Sequence, residues 1–149
     1  MTLVKVKEVL EDPERIVVDL RTASEYGQGH IPGSVNIPLF TDEERAKVGT
    51  LYKQAGKQIA FQHGLKFTGP RLADMAKRIR NLAKDRHLVF YCWRGGMRSE
   101  SVCWLMSLGG MNVSRIKGGY KAYRRYIRAS FAEPANMVIL GGYTGTGKT

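Results

Sequence analysis

Two short apolar runs constrain this chain more than anything else in it. Ile16-Val17-Val18-Asp19-Leu20 and Leu88-Val89-Phe90-Tyr91-Cys92 are rich in β-branched and aromatic side chains, and neither alternates apolar with polar residues. A strand with one wet face alternates; a strand buried on both faces does not, and double burial is the mark of a parallel sheet covered above and below by helices. Weaker runs of the same kind lie at residues 4–6, 34–37 and 113–116. Helical patterns separate them, at 42–55, 69–84, 98–108 and 119–129. In the second, Leu72, Met75, Ala76, Ile79 and Leu82 recur every three or four residues while basic side chains fill the other faces. Strands alternating with helices predict an α/β fold.

A chain of 149 residues, 43% hydrophobic, can bury one core of ordinary domain size, ~100–150 residues. Its net charge of +11 is unevenly placed: residues 1–44 hold 4 basic and 9 acidic side chains, and the remainder holds 20 and 4. Such a balance predicts a polyanionic partner or an anionic substrate. The amino terminus lacks the apolar run of a signal peptide, and no stretch approaches the ~18 apolar residues of a membrane span, so a cytoplasmic protein with no membrane partner is expected. Two cysteines, Cys92 and Cys103, are too few for a disulfide framework and lack the paired spacing of a zinc site. His63 and His87 have no partner at ligand spacing, so no metal is expected.

The residues with the most chemistry follow the second apolar run: Cys92-Trp93-Arg94-Gly95-Gly96-Met97-Arg98-Ser99. A loop between a buried strand and an amphipathic helix puts Cys92 at the carboxyl end of a parallel sheet, where such folds bind ligands. Gly95 and Gly96 let the backbone turn tightly enough to aim the amides of Trp93 to Met97 inward as an anion nest. The positive end of the following helix and the Arg98 guanidinium add to that field and favour the thiolate. A thiolate so placed takes a sulfane atom or attacks phosphorus. The blander reading, a structural cysteine beside a tight turn, is disfavoured by Gly-Gly and Arg in one loop. Cys103, among Val102, Trp104, Leu105 and Met106, reads instead as core.

Val18-Asp19-Leu20-Arg21 followed by Gly29-His30-Ile31-Pro32-Gly33-Ser34-Val35-Asn36-Ile37-Pro38 resembles the paired amino-terminal signature of rhodanese domains, and the cysteine loop falls where that family carries its own. The likeness covers most of residues 1–130 and assigns residues 1–131 to a rhodanese-like domain. It implies a five-stranded parallel sheet flanked by helices on both faces, with a persulfide carried on Cys92. For Asp19, Arg21 and His30 it favours structural roles, pairing charges and pinning the turn after Gly29, over direct chemistry. One departure stands out: five residues separate Cys92 from Arg98, where common sulfurtransferases have four. The wider loop suits a larger anion and is shared by cysteine-dependent phosphatases and arsenate reductases. Phosphatases usually carry His before the cysteine, and here the residue is Tyr91.

A second signature follows. Residues 132–136 read as a linker, because Pro134 interrupts any helix, and an apolar run at 137–140 leads into Gly142-Tyr143-Thr144-Gly145-Thr146-Gly147-Lys148-Thr149. This matches the glycine-rich phosphate loop (P-loop), in which Gly142, Gly147, Lys148 and Thr149 help hold a di- or triphosphate. Residues 132–149 are therefore expected to be a linker and the truncated beginning of a P-loop domain.

The combination of a rhodanese domain, this cysteine loop and a P-loop resembles the family of bacterial tRNA 2-selenouridine synthases. The segment at 56–64, read as part of the connection between helices, also looks like that family and is no usual rhodanese feature. The resemblance implies replacement of sulfur by selenium at a 2-thiouridine of the tRNA anticodon through a geranylated intermediate. No tightly bound cofactor is expected; selenophosphate and geranyl diphosphate are substrates of the full-length enzyme. Cys92 then carries a perselenide, while Arg98 and the loop amides hold the anionic donor. The phosphate loop belongs to the geranyl diphosphate or nucleotide-like site of the missing domain. Implied partners are the tRNA anticodon, the missing P-loop domain and a sulfur or selenium donor protein.

No acidic residue occurs from Ser101 through Ala132. Arg115, Lys117, Lys121, Arg124, Arg125 and Arg128 are the candidate RNA contacts. Tyr120, Tyr123 and Tyr126 lie among them, either to stack bases or to pack one helix face. Lys77, Arg78, Arg80, Lys84 and Arg86 read as a solvated face. Three classes stay open: chalcogen transfer to tRNA, a phosphatase or arsenate reductase on the same loop, and a non-catalytic RNA-docking rhodanese module.

Overall fold

The computed structural model describes residues 2–133 together with Gly141, Tyr143 and Gly147. The apolar run at 137–140 and the phosphate-loop residues Gly142, Lys148 and Thr149 lie outside the described residues. Five parallel strands, β1 (Thr2–Val4), β2 (Ile16–Asp19), β3 (Val35–Asn36), β4 (Leu88–Tyr91) and β5 (Val113–Ile116), form one sheet in the order β1-β5-β4-β2-β3. The two apolar runs are neighbours near its centre, with Val18 beside Phe90 and Asp19 beside Tyr91. Every residue of both strands is buried.

Among the described residues seven helices surround the sheet: α1 (Val6–Leu10), α2 (Ala23–Gly27), α3 (Asp42–Gln54), α4 (Gly56–Thr68), α5 (Leu72–Ala83), α6 (Met97–Leu108) and α7 (Gly119–Ser130), with a 3-10 turn at Gly69–Arg71. Successive strand side chains point to opposite faces. Ile16, Val18, Leu88 and Phe90 therefore join Met75 and Ile79 of α5 and Val102, Cys103 and Met106 of α6 in one core. Val17, Val89 and Tyr91 meet Val6 and Val9 of α1 and Tyr120 of α7 in the other. Two buried faces leave no position on β2 or β4 where a polar side chain would reach water, which is why neither run alternates. No helix among the described residues is long and apolar enough to cross a membrane.

The structure differs from the sequence reading at residues 56–64, which begin helix α4 rather than continue a connection. Gly56, with φ +87°, reverses the chain after α3. The buried stripe of α4 is Ala60, Gly64 and Thr68, residues small enough to bring the helix against Phe40, whose ring lies 3.4 Å from where a Gly64 Cβ would stand. Helical periodicity is read from large apolar residues, and on α4 those residues, Ile59, Phe61 and Leu65, face outward at 42%, 48% and 49% exposure. Two shorter elements also carry no periodic signal: Val6 opens α1 instead of extending β1, and α2 is a single capped turn. Its cap is reciprocal, the Glu25 N–H donating to Thr22 Oγ1 at 3.2 Å and the Thr22 N–H to Glu25 Oε2 at 3.0 Å.

Candidate active site

Cys92 immediately follows β4 and is 3% exposed. Its Sγ lies 3.3 Å from the hydroxyl of Ser99 and 3.8 Å from the carbonyl oxygen of Gly96; the Ser99 hydroxyl also reaches that carbonyl at 3.1 Å. The backbone N–H groups of residues 94–97 donate to no backbone acceptor among the described residues. Because α6 begins at Met97, its positive end also opens into the loop.

The loop's own arginine is not free. Arg98 Nη1 donates to Glu25 Oε2 at 2.7 Å and Nη2 to Glu25 Oε1 at 3.2 Å. Burial pushes the Glu25 carboxyl up, but the Arg98 hydrogen bonds and charge, with the Thr22 N–H and the charge of Arg45, outweigh it and hold the group below the usual carboxylate range. The clasp of Glu25 on Arg98 and the contact of the Ser99 hydroxyl with the thiol are relationships that the sequence does not single out. Glu25 carries a local signal only for a helix start, in Thr22-x-x-Glu25; its pairing with Arg98 is a contact across 73 residues.

The loop rests on the first turn of α7. Gly119 has φ +58°, and a Cβ on it would stand 2.2 Å from the carbonyl oxygen of Cys92. That close approach lets the Tyr120 N–H donate to the Cys92 carbonyl at 2.9 Å and the Lys121 N–H to the Trp93 carbonyl at 3.0 Å. Gly95, at φ +67°, is confined in the same way against the Ile116 carbonyl, 2.8 Å from where its Cβ would be.

Asp19 and Arg21 lie fully buried in the same layer. Arg21 Nε stands 3.0 Å from both Asp19 carboxylate oxygens, and its Nη2 donates to Asp19 Oδ2 at 2.6 Å and to the Gly29 carbonyl at 2.8 Å. The guanidinium carbon stands 3.9 Å from the Tyr120 ring centre and 5.9 Å from that of Trp93. Desolvation pulls the Arg21 pKa down, and the Asp19 bonds and charge more than offset it. His30 stacks on Tyr26 at 3.8 Å and donates from Nδ1 to the Tyr26 carbonyl at 3.0 Å. Tyr91 turns its hydroxyl away from the loop, accepting from the Ile31 N–H and pairing with the Ser34 hydroxyl; burial pushes its phenol well above the usual value.

The candidate RNA contacts divide. Lys121, Arg124, Arg125 and Arg128 line one cavity of about 450 Å³ together with Trp93 and Arg94 of the loop. Lys117 is exposed and does not line it. Arg115 is committed inside the protein, donating from Nη1 to the Gly95 carbonyl at 2.6 Å and from Nη2 to Glu100 at 2.7 Å. Tyr120 is buried and Tyr123 packs on it, their ring centres 5.8 Å apart, while Tyr126 is exposed. The aromatic ring inside the basic cavity is thus Trp93. Met97 and Arg98 also border an apolar groove of about 400 Å³, walled by Phe61 and Leu65 of α4 and Trp104 and Leu105 of α6. Cys103 is fully buried, and burial raises its thiol pKa. No cluster of three or more potential metal ligands occurs among the described residues.

The model of the rhodanese-like domain matches residues 2–126, nearly all of this sheet and its helices. The chain belongs to the rhodanese-like domain family. This rhodanese-like domain is 40% identical over 139 residues to a tRNA 2-selenouridine synthase of Pseudomonas putida (strain GB-1), matching 89% of the chain and 38% of that protein. It is 39% identical over 137 residues to the synthase of Serratia proteamaculans (strain 568), with 89% and 37% covered. The chain thus spans less than two-fifths of the length of these relatives. Among solved structures, the N-terminal domain of a putative ATP/GTP binding protein from Clostridium difficile 630 superposes with a TM-score of 0.82 at 41% identity, covering 85% of this chain and 98% of that one. A yeast protein tyrosine phosphatase of the rhodanese family superposes at 0.52 with 15% identity over 83% of each chain, a likeness of fold alone.

Proposed function

We propose that this domain performs the chalcogen-transfer step of a tRNA-modifying enzyme, with Cys92 as nucleophile. The observation that carries the reading is the placement of Cys92 at the carboxyl end of β4, in a loop whose amides at residues 94–97 have no backbone acceptor among the described residues and which leads into the positive end of α6, so that an anionic donor has somewhere to sit. The identity to tRNA 2-selenouridine synthases supplies the reaction class. With a sulfane donor such as thiosulfate, the Cys92 thiolate attacks the outer sulfur. A new S–S bond forms as the donor's own S–S bond breaks, and sulfite leaves with the bonding pair. Cys92 is left as a persulfide. In the tRNA reaction Cys92 takes its selenium in the same way from a perselenide donor protein, whose own thiolate leaves. The terminal selenium attacks C2 of the S-geranylated 2-thiouridine as the C2–S bond breaks and geranyl thiolate departs. A second thiol frees the selenouridine by breaking the S–Se bond and forming a disulfide with Cys92.

The basic cavity suits the phosphates of an anticodon loop, with the Trp93 indole in its wall to meet an unpaired base. The apolar groove at Met97 suits an apolar substituent on that base. Residues 132–149 begin the second domain, whose phosphate loop, with Gly142, Gly147, Lys148 and Thr149, takes geranyl diphosphate. This is a cytoplasmic transferase.

The test is the intact mass of the chain and of Cys92→Ser after incubation with selenophosphate, thiosulfate or phenyl phosphate. One added sulfur or selenium atom, absent in the variant, is the expected result. Phosphate release that needs Cys92, without a chalcogen adduct, would replace this reading with a phosphatase. No change with any donor would leave an RNA-docking module.

A further inference from the structure

The Cys92 loop has more positive charge around it than its own residues bring. Arg98 is bound to Glu25, and Arg115 to Gly95 and Glu100. A third arginine comes from outside the loop and outside the rhodanese signature. Arg45, near the start of α3, is half-buried, and its guanidinium makes no hydrogen bond or ion pair among the described residues. Val48, on the next turn of α3, lines the same groove as Met97 and Arg98, which sets this helix against the Cys92 loop, and the Arg45 guanidinium lies within electrostatic reach of Glu25, Arg98 and Cys92. The room for it comes from Gly49, one turn further along α3, where a Cβ would stand 2.7 Å from Arg45 Nη1.

Around Arg45 the charged groups are Glu25 from α2, Arg98 from α6 and Cys92 itself. Desolvation and the repulsion of Arg98 both act against the Arg45 charge. A half-buried guanidinium without a hydrogen-bonded partner is less well solvated than an exposed one, and an arriving anion supplies the missing charge-assisted bond. We propose that Arg45 is an anion-binding residue of the Cys92 site, contacting the negative group of the incoming reagent while Glu25 holds Arg98 in position. The proposal rests on the reading of Cys92 as the nucleophile.

Alkylation of Cys92 separates the two. Iodoacetamide and iodoacetate react at the same carbon, each losing iodide to the attacking sulfur, and differ in that the second is an anion. Rates are followed by intact mass, with Cys92→Ser to subtract any reaction elsewhere. Arg45→Gln is expected to lower the ratio of the iodoacetate to the iodoacetamide rate about fivefold, the effect of removing one charge at close range. Arg45→Lys should restore most of it, and Lys47→Gln, an exposed cation on the same helix, should leave it unchanged. Gly49→Ala, a change that favours the helix, displaces the guanidinium and should lower the ratio as well, which covers the case in which Arg45→Gln does not fold. An unchanged ratio in both Arg45→Gln and Gly49→Ala overturns the proposal. Failure of either reagent to modify Cys92 in the unaltered chain would instead overturn the nucleophile reading.

Discussion

Arg98 and Glu25, 73 residues apart, are joined by two hydrogen bonds at 2.7 and 3.2 Å. The same carboxylate closes the cap of α2, so one side chain ties the cysteine loop to the segment after β2. Glu25→Gln keeps the shape and removes the charge, and is expected to cost about 1–2 kcal/mol near neutral pH. The sign of the pH dependence follows from the depressed carboxyl. Its contribution is complete above the unfolded value, about 4.3, and is lost as the pH falls through the lower folded value. Urea denaturation near pH 7 and near pH 3 should show the wild-type and variant curves converging in acid. A gap that persisted undiminished in acid would remove the ion pair as its cause.

Gly119 allows α7 to dock on the Cys92 carbonyl. Gly119→Ala combines φ +58° with a Cβ 2.2 Å from a backbone oxygen, so the loop or the helix must move. A loss of more than about 2 kcal/mol, with slower alkylation of Cys92, is expected. Gly33→Ala has a comparable φ of +75° and nothing within 4 Å, and should lose only ~1 kcal/mol without changing Cys92 reactivity. Equal effects on reactivity from the two variants would mean that the close approach is unimportant.

The Asp19–Arg21 pair is fully buried beneath the loop. Removing one partner strands the other, so Asp19→Asn and Arg21→Met should each destabilise by about 3–5 kcal/mol. The paired change Asp19→Asn with Arg21→Met should cost less than the sum, because no lone charge remains. Strict additivity in equilibrium unfolding would contradict coupling between them.

Cations of one type divide into committed and open ones. Replacing Arg124, Arg125 and Arg128 by Gln should weaken binding of single-stranded RNA and reduce the salt slope by roughly 0.7 for each phosphate no longer neutralised. Arg115→Gln, which breaks a bond to the Gly95 carbonyl, should lower stability and leave the slope nearly unchanged. Fluorescence anisotropy titrations at several salt concentrations distinguish the two. An equal change of slope per residue would show that the shared cavity does not define the RNA surface.

The features legible in the amino-acid sequence are local ones. Unbroken apolar runs at β2 and β4 required a parallel sheet buried on both faces, and Gly95-Gly96 after a strand required a tight turn that places Cys92 at its carboxyl end. Short-range sterics and burial decide those features, and each is written within a few consecutive residues. Helix α4 escaped because its buried stripe of Ala60, Gly64 and Thr68 owes its burial to Phe40, in a different segment. Which charges are available depends on contacts between distant segments. Arg98, Arg115 and Arg45 are alike in sequence; one is held by Glu25, one by Gly95 and Glu100, and one has no partner among the described residues. The reason is the strand order: β2 and β4 are adjacent and parallel, so the segments that follow them, carrying Glu25 and Cys92, emerge side by side at the same edge of the sheet.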